Sequence, residues 1–326
     1  MRACLLGHVS DQLDEGMKNT GIMLSEHLGG AGVKARLFDL REVATPGFWT
    51  RSRRYDPDVV HLVHGPSIQG LLLLELLSAL LDCRTVATST QPRLGDLSWR
   101  AARYLRPDRT LVQSGDDESS FRSAGFDTEY VPSGVDVDRF HPVDDEERRT
   151  IREDLGLAPD ERVFLHVGHF KEGRNLRSLL SLREYGQVVV VGSPSTEPRE
   201  TLIEDLQAAG CVVRTEYVPD VERYYQATDW YVFPVVDESN SIRAPLSVLE
   251  AMACNRPVIS TRFGGLSDMF DEGDGFVYVS DVSAVDPATV SDPGPVRTRK
   301  KVEPYSWESI ARRVAEVYSE VCNEEH

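Results

Sequence analysis

A chain of 326 residues is long enough for two domains of ordinary size. Hydrophobic residues make up 40% of it, which excludes a disordered chain. A net charge of −17 argues against a general nucleic-acid binder, which needs a basic footprint. Of 36 basic residues only Lys18, Lys34, Lys171, Lys300 and Lys301 are lysine, a pattern that suggests solubility at high salt, as in halophiles; a generic acidic cytosolic protein is the alternative.

The first half alternates strand and helix. Residues 3–7 read as a strand, followed by the polar stretch 10–18 and a helix over 16–28. Gly16 in that stretch lets the backbone approach a phosphate, though a lone glycine is a weak signal. Residues 33–38 and 59–63 read as strands, and 68–81 (IQGLLLLELLSALL) as an apolar helix. That run is shorter than the roughly 20 residues that span a bilayer, and it contains Glu75. A buried helix is expected rather than a membrane-surface one. Strand 85–87, helix 96–105, strand 110–112 and helix 116–124 continue the alternation, which argues for parallel strands with helical crossovers.

A Pro/Asp/Glu-rich joint lies between 133 and about 160. Beyond it, 163–167, 188–191, 212–214, 230–233, 258–260 and 276–279 are near-continuous Val/Phe runs, as in strands buried on both faces. Residues 280–303 lack periodicity and read as an irregular connection. A helix over 306–321 closes the chain. The five cysteines form no CxxC pair and no Cys/His cluster, so neither a zinc site nor a disulfide framework is expected. The start MRACLLGHV carries no secretory pattern, and a reduced cytoplasmic setting fits.

Three places carry candidate chemistry. Gly168 to Asn175 (GHFKEGRN) follows a buried strand and opens a helix, where backbone N–H groups attract anions. His169, Lys171 and Arg174 add charge there; a solvated basic turn is the alternative. Residues 231–268 read as strand, polar loop, short helix, turn and strand. Pro245 suits the first helical position and Asn255 a left-handed cap. Leu246, Val248, Leu249, Met252 and Ala253 fill one apolar arc with Glu250 at its border, facing the sheet edge where ligands bind. Glu250 is either a partly exposed helix residue or an acceptor for sugar or ribose hydroxyls. The third place is VVHLVHGPS, where His61 and His64 end a strand; either a core role or a site role fits. Gly264-Gly265 lacks dinucleotide spacing.

YVFPVVDESNSIRAPLSVLEAMACNRPVISTRFGGLSD (231–268) resembles the donor-site signature of the retaining glycosyltransferases of family four. VPSGVDVDRFHP (131–142) resembles that family's inter-domain joint, LHVGHFKEGRNLRSLL (165–180) its phosphate loop, and YSWESIARRVAEVY (305–318) its closing helix. The likeness is strong from about 131 to 279 and at the C-terminus, and weaker over the first 130 residues. It implies an α/β protein of two Rossmann-like domains, the B-type glycosyltransferase fold, with the active site in the inter-domain cleft. Residues 1–140 would form the acceptor side and 141–303 the nucleotide-sugar donor domain. Residues 304–326 would form a helix crossing back to the first domain.

The resemblance also implies site roles. Arg174 falls on the second of two basic positions that hold the diphosphate. His169 falls on the first, where arginine is usual, with Lys171 placed to compensate. The family has two glutamates seven residues apart. Glu250 is the second, expected on the ribose, and the first falls on Ile242, which carries no charge. Glu238, brought in by a rearranged loop, is the expected substitute near the transferred sugar, with Ser241 beside it; the alternative is a site that needs no carboxylate there. Arg243 is expected on the diphosphate, Leu246 and Ser247 offer N–H groups to the sugar-phosphate, and Gly16 borders a phosphate. His64 is expected near the reacting sugar. The implied reaction moves a hexose from a nucleotide-diphosphate sugar to a glycan, lipid-linked or small-molecule acceptor, with retention and without a metal or cofactor. A cytoplasmic enzyme at the inner membrane face is consistent with it, and peripheral membrane contact stays open. A non-catalytic homologue and a nucleotide-sugar epimerase are the competing readings.

Overall fold

The computed structural model describes residues 1–9, 16–92, 96–192 and 199–324. They group into two units: Met1–Gly134 with Ile242–Ala244 and Trp307–His326, and Val135–Ser241 with Pro245–Ser306. The division thus falls at Gly134 rather than after 140, and 242–244 group with the first unit, not with the donor segment around them.

The first unit holds a parallel sheet of β1 (Arg2–Gly7), β2 (Lys34–Asp39), β3 (Val59–Leu62), β4 (Arg84–Ser89), β5 (Arg109–Val112) and β6 (Thr128–Tyr130). Its order is β2-β1-β3-β4-β5-β6. The helices are α1 (Gly16–His27), α2 (Pro46–Tyr55), α3 (Ile68–Leu81), α4 (Asp96–Ala102) and α5 (Gly115–Ser123). Side-chain caps start them: the hydroxyls of Thr45, Ser67 and Ser114 accept from Phe48, Gly70 and Asp117 N–H. The elements α2 and β6 are additional to the sequence reading. Arginine-rich α2 buries only Phe48 and Ser52, and β6 has only three residues.

The expected burial of 68–81 holds for one side only. Leu71, Leu74 and Leu77 are buried, while Leu72, Leu76 and Leu80 stay 50%, 48% and 46% exposed. Phe48 of α2 packs with Leu74 and Leu77 of α3 in one apolar cluster. Leu71 of α3, Ala102 and Phe121 share another. Helices α2 to α5 therefore cover the same face of the sheet.

The second unit holds β7 (Val163–Val167), β8 (Gln187–Val191), β9 (Val212–Arg214), β10 (Trp230–Phe233), β11 (Val258–Thr261) and β12 (Phe276–Val279), all parallel, in the order β12-β11-β10-β7-β8-β9. Its helices are α6 (Asp145–Leu155), α7 (Glu200–Ala208), α8 (Glu222–Ala227), α9 (Leu246–Ala253), α10 (Leu266–Met269), α11 (Pro287–Ser291) and α12 (Thr298–Val302). The last two lie in the stretch read as irregular. Each is five residues long, too short to show a period. A closing helix, α13 (Trp307–Asn323), groups with the first unit. It buries Trp307, Ile310, Val314, Val317, Tyr318 and Val321 along one side, as an amphipathic helix does.

Both sheets reverse their strand order once, between β1 and β3 in the first unit and between β7 and β10 in the second. Ligands of open α/β sheets bind outside the carboxyl ends of the strands at such reversals.

One glycine locks the loop beyond β7 in place. A Cβ on Gly192, just after β8, would lie 1.8 Å from the Phe170 ring, which is fully buried. Gly192→Ala is expected to lower stability by about 1–3 kcal/mol through overpacking. It should also weaken anion binding, because Phe170 anchors that loop; urea unfolding and nucleotide titration of the variant check both effects.

Candidate active site

The loop after β7 begins at Gly168, where a Cβ would sit 2.7 Å from Arg174 Nη2 and 3.0 Å from His166 Nε2. Only glycine lets these groups come so close. Residues Glu172–Arg174 form a single 3₁₀ turn, and Asn175 breaks it in the left-handed region (φ 56°) before a second 3₁₀ segment, Leu176–Glu184. The regular α-helix expected to open here is absent, so the site lacks a full helix dipole and relies more on side-chain charge.

That charge is Arg174. It is only 5% exposed. Its Nη1 donates to the Asn240 carbonyl at 3.0 Å, and its guanidinium lies 5.9 Å from the Phe233 ring centre. No carboxylate pairs with it among the described residues. Burial pulls its pKa down to about 10, so it remains a cation at neutral pH. A buried cation without a counter-ion is costly unless an anion completes it. His166 stands behind it: its Nδ1 lies 2.8 Å from the Val232 carbonyl, which can only accept. Nδ1 therefore carries the hydrogen and Nε2 is a bare, buried lone pair. Burial and the Arg174 charge push this imidazole down to about 3.

The loop after β10 meets the same place. Asp237 spends its carboxylate on its own turn, accepting from Ser239 N–H and hydroxyl and from Asn240 Nδ2. A Cβ on Gly173 would fall 2.2 Å from Asn240 Nδ2, so the two loops touch. Glu238 sits exposed on the 3₁₀ turn Glu238–Asn240, and Ser241 follows it, half-buried. Lys171 and His169 are half-buried on the first loop.

Helix α9 starts one residue later than expected, with Pro245 as its cap and Leu246 as its first residue. No side chain caps it. The first N–H groups of a helix have no partner within it, so those of Leu246 and Ser247 are available to a ligand. Glu250 is half-buried and its Oε2 accepts from Tyr225 OH at 2.6 Å. Burial pushes the Glu250 carboxyl up, while the Tyr225 hydrogen bond and Arg139 pull it back. Asn255 adopts the left-handed conformation expected of it (φ 52°).

Arg174, Lys171, His169, Glu238, Ser241, Leu246, Ser247 and Glu250 all belong to the second unit, around the ends of β7 and β10. Arg243 departs from its expected role. It groups with the first unit, its Nε donating to Asp117 Oδ2 at 3.1 Å and its N–H to the Thr90 carbonyl. Its charge is thereby engaged by a carboxylate instead of a diphosphate. Ile242, which the resemblance aligns with a glutamate, is buried at 7% exposure and packs as an apolar residue.

In the first unit, His64 follows β3 at the strand reversal, its ring 4.7 Å edge-on from that of His8. His61 takes the core role: its nitrogens lie 2.6 Å from Tyr318 OH and 2.6 Å from Thr88 Oγ1, and burial pushes it down to about 3. Gly16 is the first residue of α1, and residues 10–15 of the expected phosphate-contacting stretch lie outside the described residues. Asp136 Oδ1 accepts from the N–H groups of Asp138 and Arg139, which is turn chemistry. Two participants escaped the sequence reading. His166 is hidden within a Val/Phe strand run, and Tyr225 lies in a helix of six residues.

Known proteins resemble this chain in sequence and in fold. Residues 161–290 match the family described as glycosyl transferases group 1. The D-inositol 3-phosphate glycosyltransferase 2 of Catenulispora acidiphila is 30% identical over 268 residues, which are 69% of this chain and 61% of that protein. The chain thus spans under two thirds of that relative's length. Among solved structures, a sucrose-phosphate synthase from Thermosynechococcus elongatus superposes with a TM-score of 0.81 at 19% identity, covering 98% of this chain and 99% of the other. The Anabaena protein HepE in complex with UDP and glucose gives a TM-score of 0.73 at 14% identity, covering 98% and 100%. The chain carries a glycosyl transferases group 1 domain over residues 161–290, on the two Rossmann-like units of the B-type glycosyltransferase fold.

Proposed function

We propose that the protein transfers a hexose from a nucleotide-diphosphate sugar to a glycan, lipid-linked or small-molecule acceptor, with retention of configuration and without a metal. The observation that carries this reading is Arg174: a buried cation with no carboxylate partner among the described residues, at the strand reversal of the second unit. A diphosphate supplies the missing charge. As the bond from the anomeric carbon to the phosphate oxygen breaks, its electron pair goes to the leaving diphosphate. Arg174, Lys171 and the N–H groups of Leu246 and Ser247 stabilise that charge. The acceptor oxygen bonds to the anomeric carbon on the same face and passes its proton to the leaving phosphate oxygen. No carboxylate is assigned as a covalent nucleophile, which favours this front-face route over the two-carboxylate scheme of retaining hydrolases. Glu250 keeps Oε1 for the ribose hydroxyls while Tyr225 holds Oε2. Glu238 and His64 are the candidates for contact with the reacting sugar.

Buried Ile242 supports a second reading, a homologue that binds nucleotide but does not turn it over. A thermal-shift screen against UDP, GDP and ADP and their sugar conjugates tests the first step, since a ligand of the folded state raises the melting temperature by mass action. A shift with one nucleotide, lost in Glu250→Ala, is expected. No shift with any of them overturns the donor assignment. A shift without product when acceptor candidates are added supports the second reading.

A further inference from the structure

The amino-terminal edge of the second sheet, opposite the Arg174 loop, gathers three guanidiniums around one carboxylate. Asp229 immediately precedes β10, and Arg256 stands two residues before β11. Tyr231 and Val258 are register partners, so two residues back Asp229 and Arg256 are neighbours on adjacent strands. Tyr231 and Val258 share an apolar cluster with Ile151 of α6, and strand side chains two residues apart share a face. Asp229 and Arg256 therefore lie on the face that α6 covers, and α6 brings Arg148 and Arg152 to it.

The two helix arginines divide the acid between them. Arg148 Nη2 donates to Asp229 Oδ1. Arg152 Nη2 donates to Oδ2 at 2.5 Å, which also accepts from Val163 N–H at 2.7 Å. Arg152 is otherwise spent on carbonyls, its Nε on Ala227 and its Nη1 on Pro159 and Glu161. Arg148 Nη2 also reaches the Thr228 carbonyl, but its Nε is buried without a partner. The Arg256 guanidinium makes no hydrogen bond and no ion pair among the described residues, and its Nε is buried too. Burial and the Arg148 charge pull Arg256 down to about 10, so it is still a cation at neutral pH.

The nearest acids do not complete this cluster. Asp144 caps α6, its Oδ1 accepting from Glu147 N–H. Asp145 precedes Arg148 by one turn, and Asp274 neighbours Arg256 in the β11–β12 register. Neither forms an ion pair with these arginines among the described residues. Three cations against one carboxylate leave an excess of two positive charges. Buried cations without a counter-charge are costly unless an anion completes them. The side chains of Arg148 and Asp229 are 21% and 28% exposed, so solvent reaches the cluster. A phosphate group carries close to two negative charges and accepts bidentately from guanidinium forks, whereas a carboxylate supplies one charge.

We infer that Arg256 and Arg148 form a second anion site, for a phosphate group, at the amino-terminal edge of the second sheet. The four residues of β11 span about 13 Å between this edge and the carboxyl edge where Arg174 lies, so the two sites are separate. The inference does not rest on the donor assignment.

Thermal unfolding of the Arg174→Met variant in inorganic phosphate tests it, with ionic strength held constant by sodium chloride. That background lacks the donor-site cation. At about ten times its dissociation constant, phosphate should raise the melting temperature by about 3–6 °C through mass action. Adding Arg256→Gln should abolish the rise. In phosphate-free buffer Arg256→Gln alone should melt no lower than the native chain, because it removes an uncompensated cation. No rise in Arg174→Met overturns the inference, and so does an equal rise after Arg256→Gln is added. A lower melting temperature for Arg256→Gln without phosphate overturns it in favour of a structural arginine. If the double variant fails to fold, Arg256→Lys in the same background decides. It keeps the charge but loses the fork, and should bind phosphate several-fold more weakly; unchanged affinity overturns the inference. Glucose 6-phosphate separates the sources: a larger rise than with phosphate assigns the site to an organic phosphate ester, an equal or smaller one to free phosphate. Failure of these tests leaves the donor assignment intact, and loss of nucleotide binding leaves this site intact.

Discussion

Arg174→Met lowers kcat/KM for the proposed transfer by about 10²–10³, the cost of removing one preorganised charge donor from a developing anion. Stability moves far less, and the reason lies in what the guanidinium does in the free protein. Among the described residues it makes one hydrogen bond, to the Asn240 carbonyl, worth about 1 kcal/mol. Against this, its burial without a counter-charge disfavours the folded state, as its lowered pKa shows. Methionine fills much of the same volume and removes that penalty, so the two effects offset each other. The melting temperature should therefore shift by no more than about 2–4 °C. Steady-state kinetics beside thermal unfolding checks the split. A variant with native turnover and native stability removes Arg174 from the mechanism, and a large stability loss would make it a structural residue. Arg174→Lys keeps the charge but loses the fork, and should recover only part of the rate.

The sequence showed where this site sits more clearly than how its parts are arranged. The six strands of the second unit were legible because Val/Phe runs such as 188–191 and 230–233 have no other reading once helices flank them. The glycine at 168 and the basic residues that follow it marked the anion loop. What escaped depended on contacts between distant residues. That Arg174 has no carboxylate partner among the described residues is a statement about a buried neighbourhood, which no local pattern reveals. Arg243 lies within a donor-like segment, yet Asp117, which is 126 residues away, takes its side chain. Glu250 was placed correctly on the border of its helix, but the Tyr225 hydroxyl that occupies one of its oxygens comes from a short helix with no period to read. The choice between His61 and His64 required the closing helix, because Tyr318 makes His61 a core residue.

His61 and His166 also make acid the condition to which this protein should be most sensitive. Each is buried and neutral, each is pushed down to about 3, and each unit contains one. An unfolded histidine takes up a proton near pH 6.5. As pH falls below that value, the unfolded chain binds a proton that the folded unit refuses, so stability falls with pH by up to about 1.4 kcal/mol per pH unit for each histidine. The loss continues down to the folded pKa and then levels off. At pH 5 it amounts to about 2 kcal/mol per unit. The carboxylates held low, such as Asp229 and Asp39, do not contribute until pH falls below their ordinary value of 3.8. Glu250 acts in the opposite sense. Its pKa is raised, so the folded second unit gains a proton more readily than the unfolded chain, which offsets part of the His166 term. The first unit has no such compensation from a raised carboxyl among the described residues and should unfold first on acidification. Urea unfolding from pH 7 to pH 5 measures the slope, and His61→Gln, which keeps polar atoms toward Tyr318 and Thr88 but cannot titrate, should flatten the first transition by nearly the whole histidine contribution. An unchanged slope in that variant would show that His61 takes up its proton in the folded protein at the same pH as in the unfolded chain.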